Sequence, residues 1–348
     1  MSEQVLDDQN ILTQRDPDGA LSLAAHDYEQ IAFQPEIKNG EHDGRELQQV
    51  VITGMGGSAL AALLAHAWLK SELHLPLDVV RSYSLPAYIG PNTLVIASSY
   101  SGNTEETLSA YAQAKEKGAQ LAVIAAGGKL IEEAIADGVT YGEIPSGMQP
   151  RMALIYNLQV LLAILEHFGV VSERVAHLQN LAPWLEEQTK NWLPDVPTEK
   201  NEAKQVALTA VGKTAVFYGG ELTAPIAYKW KISWNETGKN LAFWNEYSEF
   251  NHNEFMGWTS HPVEKPFVIF DLISHLEHPQ ILKRFEISDR LLSGKRPKAN
   301  IIELKGDTII EQLLYGVVMA DFASIYLAIL NNVNPVPVVL IEKLKKEL

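Results

Sequence analysis

Ser99-Tyr100-Ser101-Gly102-Asn103-Thr104-Glu105-Glu106-Thr107 separates two stretches of opposite character. Before it, Thr93-Leu94-Val95-Ile96-Ala97-Ser98 is a continuous apolar run, the pattern of a strand buried on both faces of a parallel sheet. After it, Leu108, Tyr111, Ala112 and Ala114 recur at the spacing of an amphipathic helix. A strand that feeds a helix through hydroxyls and a glycine builds an anion site. Asn103 or Thr104 is expected to cap the helix, whose free N–H groups and positive dipole end then face the crevice at the strand's carboxyl edge. The Ser99, Ser101 and Thr104 hydroxyls add hydrogen bonds for phosphate oxygens. The same residues also fit an ordinary capped helix whose hydroxyls serve only turn chemistry.

A second loop has the same construction. Gly54-Met55-Gly56-Gly57-Ser58 follows the strand Leu47-Gln48-Gln49-Val50-Val51-Ile52-Thr53 and opens a helix through Ala59, Leu60, Leu63 and Leu64. Two adjacent turns of this kind converge on one crevice at the switch point of an open α/β sheet. Gly54-x-Gly56-x-x-Ala59 also fits a dinucleotide fingerprint, which requires a ribose-binding carboxylate at the carboxyl end of a strand. Asp78 lies at about the right distance but begins its strand, Asp78-Val79-Val80-Arg81-Ser82-Tyr83, which argues against a nucleotide.

At 348 residues the chain has room for two domains with substantial cores. With 46% hydrophobic and 20% charged residues it reads as globular, and no uninterrupted apolar run has the length of a bilayer span. Met1-Ser2-Glu3-Gln4 lacks the basic start and apolar core of a signal peptide, so the expected compartment is the cytoplasm, with no membrane partner. Without cysteine there is no disulfide framework, thiol nucleophile or thiolate metal site. A net charge of −15 argues against nucleic acid as a partner. It leaves open a single phosphate held by local N–H groups, hydroxyls and one or two cations. The ten histidines are scattered without metal-ligand spacing, so no metal site is expected.

Residues 1–45 carry a short amphipathic pattern (Leu21, Leu23, Ala24, Tyr28, Ile31) and then a polar turn, which reads as a helical arm. From Leu47 strands and helices alternate, with further strands at Gln120–Ala125 and Val139–Ile144, as in a parallel sheet with helices on both faces. Arg151 heads a long apolar helix through Leu154, Leu158, Leu161, Leu162, Leu165 and Phe168. Around 185–205 the chain turns polar, which places a domain junction there. Beyond it come a strand Thr214–Tyr218 ending in Gly219-Gly220, a helix Leu222–Trp234, strands Pro266–Asp271 and Ala299–Leu304, and a long buried helix Thr308–Leu330. Strand, glycine turn and helix recur in both halves, which implies two related α/β domains.

Between Trp234 and Trp258 ionisable and amide groups are interleaved with aromatics: Asn235, Glu236, Lys239, Asn245, Glu246, Glu249, Asn251, His252, Asn253 and Glu254. Desolvation there can tune a carboxylate and an imidazole for general acid/base work. On spacing alone, a structural polar network accounts for the same residues.

Taken together, Gly54-Met55-Gly56-Gly57-Ser58, Ser99 to Thr104, Pro150-Arg151, Asn235-Glu236 with Lys239, Asn251-His252-Asn253-Glu254, and the ending Asn334-Pro335 to Leu344-Lys345 follow a known order and spacing. In these motifs the chain resembles the bifunctional phosphoglucose/phosphomannose isomerase family. The resemblance implies two flavodoxin-like SIS domains, over 46–190 and 205–348, the second ending in a catalytic tail. It implies interconversion of glucose 6-phosphate and mannose 6-phosphate with fructose 6-phosphate, without metal or organic cofactor, by a homodimer with shared active sites. In that pattern Glu236 matches the base that moves a proton between C2 and C1. His252 matches the acid/base that opens the sugar ring, supplied by the neighbouring subunit. Arg151 matches the cation against the enediolate, and Lys345 a C-terminal lysine that closes over the sugar. Gly56, Gly57, Ser58, Ser99, Ser101 and Thr104 match positions that hold the substrate and its phosphate. Val338 stands where members of the family carry a threonine, and Phe250 and Trp234 replace smaller apolar residues. The competing reading is a non-catalytic SIS-fold sugar-phosphate regulator, which has little need of Glu236, His252, Arg151 and Lys345 beside a phosphate cradle.

Overall fold

Thr93–Ser98 lies in the interior of a six-stranded sheet, paired on both sides, and all six of its residues are buried. The computed structural model describes residues 2–260 and 266–347. Two compact units emerge, Tyr28–Pro183 and the described residues of 1–27 with 184–348.

In the first unit the strands are β1 (Ile37–Lys38), β2 (Gln49–Thr53), β3 (Leu77–Val80), β4 (Thr93–Ser98), β5 (Gln120–Ala125) and β6 (Thr140–Glu143), in the order β1-β6-β5-β4-β2-β3. β2 to β6 are parallel, and the two-residue β1 adds an antiparallel edge that the sequence did not announce. Without that edge the order is 2-1-3-4-5, the flavodoxin arrangement, whose switch point falls between β2 and β4. Both glycine and hydroxyl loops therefore leave adjacent strands at one crevice. β3 stops at Val80, short of the expected Tyr83, because β2, its one neighbour in the sheet, ends at the paired Thr53.

The second unit contains β7 (Thr214–Gly219), β8 (Ala242–Glu246), β9 (Phe267–Ile273) and β10 (Ala299–Glu303), all parallel, in the order β10-β9-β7-β8. Relabelled from its own first strand this is 2-1-3-4, the same winding as the first unit. Its core is built around the Ile309–Leu330 helix, which starts at a capping box between Thr308 and Glu311. That helix is long and apolar enough to cross a membrane, but 94% of its most apolar stretch is buried in the protein. Where it meets the Ala224–Glu236 helix, Lys229 Nζ donates to Asp321 Oδ1 at 2.7 Å with both side chains buried.

The first helices of the chain, Ser2–Asp7, Gln9–Arg15 and Ala20–Ala25, group with this second unit. Arg15 Nη1 donates to the Ile329 carbonyl at 2.8 Å, Asn334 Nδ2 donates to Asp18 at 2.8 Å, and Lys204 Nζ reaches Asp7 at 3.2 Å. Residues 28–45 instead contribute β1 to the first sheet.

Candidate active site

The β4 loop is held in shape by contacts that leave its hydroxyls at the crevice. Gly102 adopts φ +68, and a Cβ there would lie 1.8 Å from the Gly127 carbonyl oxygen, so only glycine fits this approach to the next loop. The Leu130 N–H donates to the Gly102 carbonyl, and the Ala126 N–H to that of Tyr100, each at 2.9 Å. Thr104 takes the N-cap position of the Glu105–Glu116 helix, yet makes no side-chain capping bond. Its hydroxyl pairs instead with the buried Ser99 hydroxyl at 2.8 Å. Asn103, the other expected cap, accepts the Lys129 N–H at 3.1 Å through Oδ1. Glu105, in the helix's first turn, accepts from the Tyr83 hydroxyl at 3.1 Å. The result is a helix N-terminus at the switch point that no side chain caps, which is what an anion needs.

The β2 loop closes the other wall. Ser58 is buried, and its Oγ accepts the Tyr100 N–H at 3.2 Å, tying the two loops together. Gly56, half-buried at the start of the Gly56–Leu69 helix, has φ +53. Gly57 packs so closely on the next segment that a Cβ would lie 3.0 Å from the Pro150 carbonyl and 3.4 Å from the Arg151 nitrogen. Arg151 is thereby placed beside the cradle. It is 2% exposed, and its Nη1 donates to Gln149 Oε1 at 3.4 Å. Contrary to the sequence expectation, Arg151 does not head the long helix: it sits in the 3-10 turn Pro150–Met152, and the helix Leu154–His167 begins after Ala153. Ser101 is exposed at the rim, where its Oγ accepts the Asn103 N–H at 3.3 Å. Tyr100, which carried no role in the sequence reading, braces the wall: its hydroxyl donates to the Pro145 carbonyl at 3.1 Å and accepts the Met148 N–H at 3.0 Å. Nothing in the pattern of Tyr100 within the loop distinguishes that role.

Asp78 is the second of the four residues of β3, two before its carboxyl end rather than the five that the expected strand implied, and its carboxylate accepts the Tyr88 hydroxyl. Among the described residues no group of three His, Asp or Glu side chains gathers as a metal ion requires.

In the second unit, Glu236 is the half-buried last residue of the Ala224–Glu236 helix. Lys239 Nζ donates to the Glu236 carbonyl and, at 3.1 Å, to that of Pro335, so the root of the C-terminal helix Val339–Glu347 is fastened to the helix end that bears Glu236. Lys345 lies exposed on that C-terminal helix. Val338 is half-buried at its start, its carbonyl accepting from Ile341 and Glu342. Trp234 and Phe250 are fully buried core residues.

Much of the polar cluster after β8 serves structure. The Tyr218 hydroxyl and Asn245 Nδ2 (2.7 Å) both donate to Glu254, Trp258 Nε1 donates to Tyr218 at 3.0 Å, and Asn251 is held by Arg284 at 3.1 Å and Ser288 at 2.8 Å. His252, at the end of the 3-10 turn Glu249–His252, is left exposed by that network. Glu236 and His252 sit near opposite ends of β8. The Ala242 N–H at the start of β8 bonds Asn235 Oδ1, beside Glu236, whereas Tyr247 N–H, just beyond the end of β8, bonds the Gly219 carbonyl at the end of β7. The five residues of β8 span roughly 17 Å at the rise of a strand.

Comparison with known proteins agrees with this architecture. Residues 199–348 match the bacterial phospho-glucose isomerase C-terminal SIS domain, and residues 45–166 match the SIS domain. The chain is 39% identical over 305 residues to the bifunctional phosphoglucose/phosphomannose isomerase of Caldicellulosiruptor bescii, covering 87% of this chain and 90% of that protein. It is 34% identical over 300 residues to the protein of the same name from Aquifex aeolicus, covering 86% and 90%. Among solved structures, the C-terminal domain of glucosamine-fructose-6-phosphate aminotransferase from Francisella tularensis superposes with a TM-score of 0.68 at 15% identity, covering 92% of this chain and 99% of that one, which shows the shared fold. With two SIS units in the expected order and relatives this similar over nearly their whole length, the chain belongs to the bifunctional phosphoglucose/phosphomannose isomerase family.

Proposed function

We propose that the chain interconverts glucose 6-phosphate and mannose 6-phosphate with fructose 6-phosphate. The observation that carries this, beside family membership, is the uncapped helix N-terminus at Thr104, flanked by the Ser99 and Thr104 hydroxyls and by the Gly57 contact with Arg151. In this reading Gly56, Gly57, Ser58, Ser99, Ser101 and Thr104 hold the substrate and its phosphate. His252 moves the proton that opens the ring. Glu236 takes the proton from C2 of the open-chain aldose and the electron pair passes onto the C1 oxygen as an enediolate; the C2 hydroxyl proton then passes to the C1 oxygen, and the Glu236 carboxylic acid returns its proton to C1, which leaves the carbonyl at C2. A proton alpha to a carbonyl is weakly acidic, so the base must be aimed at carbon while the Arg151 guanidinium stabilises the oxyanion. Glucose and mannose 6-phosphates differ only at C2, which is planar in the enediolate, so one intermediate serves both. Lys345, on the helix rooted through Lys239 and Pro335, closes over the sugar. The placement of Glu236 and His252 near opposite ends of β8 supports a homodimer in which each site takes its His252 from the second copy. The reading extends to a cytoplasmic enzyme, since phosphosugars made inside a cell are retained there by their charge.

Glu236→Gln keeps the shape of the side chain and removes the base. Fructose 6-phosphate binding by calorimetry should stay near wild type, while turnover in a coupled assay falls by at least about 10²-fold. Turnover near the wild-type value would show that another group is the base.

A further inference from the structure

The second unit repeats the switch-point architecture and fills it differently. β7 runs into Gly219-Gly220-Glu221-Leu222-Thr223 ahead of its helix, as β2 runs into Gly54 to Ser58. Thr223, like Ser58, is a buried hydroxyl that ties its loop to the neighbouring strand's exit: it donates to the Leu272 carbonyl at 2.9 Å and accepts the Gly220 N–H at 2.7 Å. Beyond β9 the Glu277 N–H bonds the Ser274 carbonyl at 3.3 Å, just as beyond β4 the Gly102 N–H bonds the Ser99 carbonyl at 3.0 Å. A glutamate thus stands where the first unit has a glycine.

Its side chain turns into the crevice. Oε1 accepts the N–H groups of Leu222 at 2.8 Å and Thr223 at 3.1 Å, and lies 3.4 Å from the Thr223 hydroxyl. These two N–H groups belong to the turn just ahead of the Ala224–Glu236 helix, and successive backbone N–H groups of such a turn can bind an oxyanion. The approach is so close that a Cβ on Gly220 would lie 2.3 Å from Oε1. Glu277 is 4% exposed and its Oε2 has no hydrogen-bond partner. Burial pushes its carboxyl above the ordinary range. A buried carboxyl oxygen without a partner costs free energy, and a fold needing only a capped helix would not place one there.

We propose that the switch-point crevice of the second unit is an oxyanion cradle of the phosphate class, occupied by the chain's own Glu277 carboxylate. The internal ligand closes this crevice to sugar phosphates and leaves substrate binding to the first unit. That second clause rests on the phosphate cradle proposed for the first unit, whereas the cradle around Glu277 stands without it.

The test is the number of inorganic phosphate ions bound per chain, by calorimetry, in wild type, Glu277→Gly and Glu277→Gln. Removing the side chain should add one phosphate per chain, while the amide, which still fills the crevice, should add none. The increment is read against wild type, so it is one whether the first unit binds a phosphate or not; a wild type that binds none would count against the first cradle alone. Equal stoichiometry in a folded Glu277→Gly and wild type would overturn the proposal. If Glu277→Gly is unstable, phosphate should raise its melting temperature well beyond the rise in Glu277→Gln at matched ionic strength, and equal rises would overturn it as well.

Discussion

The proposal that each site takes its Glu236 from one chain and its His252 from another can be measured directly. β8 separates the end near Glu236 from the end near His252 by roughly 17 Å, several times the reach of a hydrogen bond. In a dimer with exchanged histidines, a chain carrying Glu236→Gln paired with a chain carrying His252→Ala has one site with both defects and one with neither. Each parent homodimer has both sites defective. Co-expression with two different affinity tags, followed by sequential purification, isolates the mixed dimer. Its turnover of fructose 6-phosphate should be about half that of wild type, one intact site of two, while either parent is nearly inactive. A mixed dimer no more active than its parents would place both groups in one chain, and a chain that sediments as an active monomer would do the same.

Two further perturbations probe the second unit's core. Lys229 and Asp321 pair at 2.7 Å with side chains 0% and 7% exposed, so Lys229→Met strands a buried carboxylate. The substitution should cost about 3–5 kcal/mol in urea unfolding, and adding Asp321→Leu should restore most of it; a double variant as unstable as the single one refutes this. Asp271 is buried and desolvation pushes its carboxyl from 3.8 up to about 7, with the Arg296 guanidinium acting in the opposite sense. The native chain keeps a proton there that the unfolded chain has already released, so this group's contribution to stability falls as pH rises from 3.8 to about 7 and is constant above. Across that window Asp271→Asn should gain on wild type by about 1.4 kcal/mol per pH unit in urea midpoints. A difference between the two that does not change with pH rules the assignment out.

The strands and helices that position the cradle were readable because their physics is local. β4 and β5 fall on the apolar runs that announced them, since central strands are buried on both faces and need no alternation. β8 was hidden because it lies at the sheet's edge, mixing one buried alanine with exposed and half-buried side chains, so its residues read as part of a polar cluster. The placement of Arg151 in its own 3-10 turn was equally hidden, since the apolar spacing continues through it. Asn251 and Glu254 looked as eligible for chemistry as His252. Their hydrogen bonds to Arg284, Ser288, Tyr218 and Asn245 come from elements distant in the chain, which residue spacing cannot supply.

The deepest gap concerns which of two similar crevices is open. Strand, glycines and helix occur in both units, which the sequence showed as two related domains with an anion crevice expected in the first. What separates them lies in the second turn, at Gly102 in one unit and Glu277 in the other, each bonded through its N–H to a serine carbonyl three residues earlier. In the second unit the glutamate accepts the Leu222 and Thr223 N–H groups of the turn after β7, where in the proposed reading it takes the place of an outside anion. On that proposal, the same backbone is a binding site or a closed core depending on one side chain that follows the motif rather than belonging to it, and duplication of the unit does not by itself duplicate the binding.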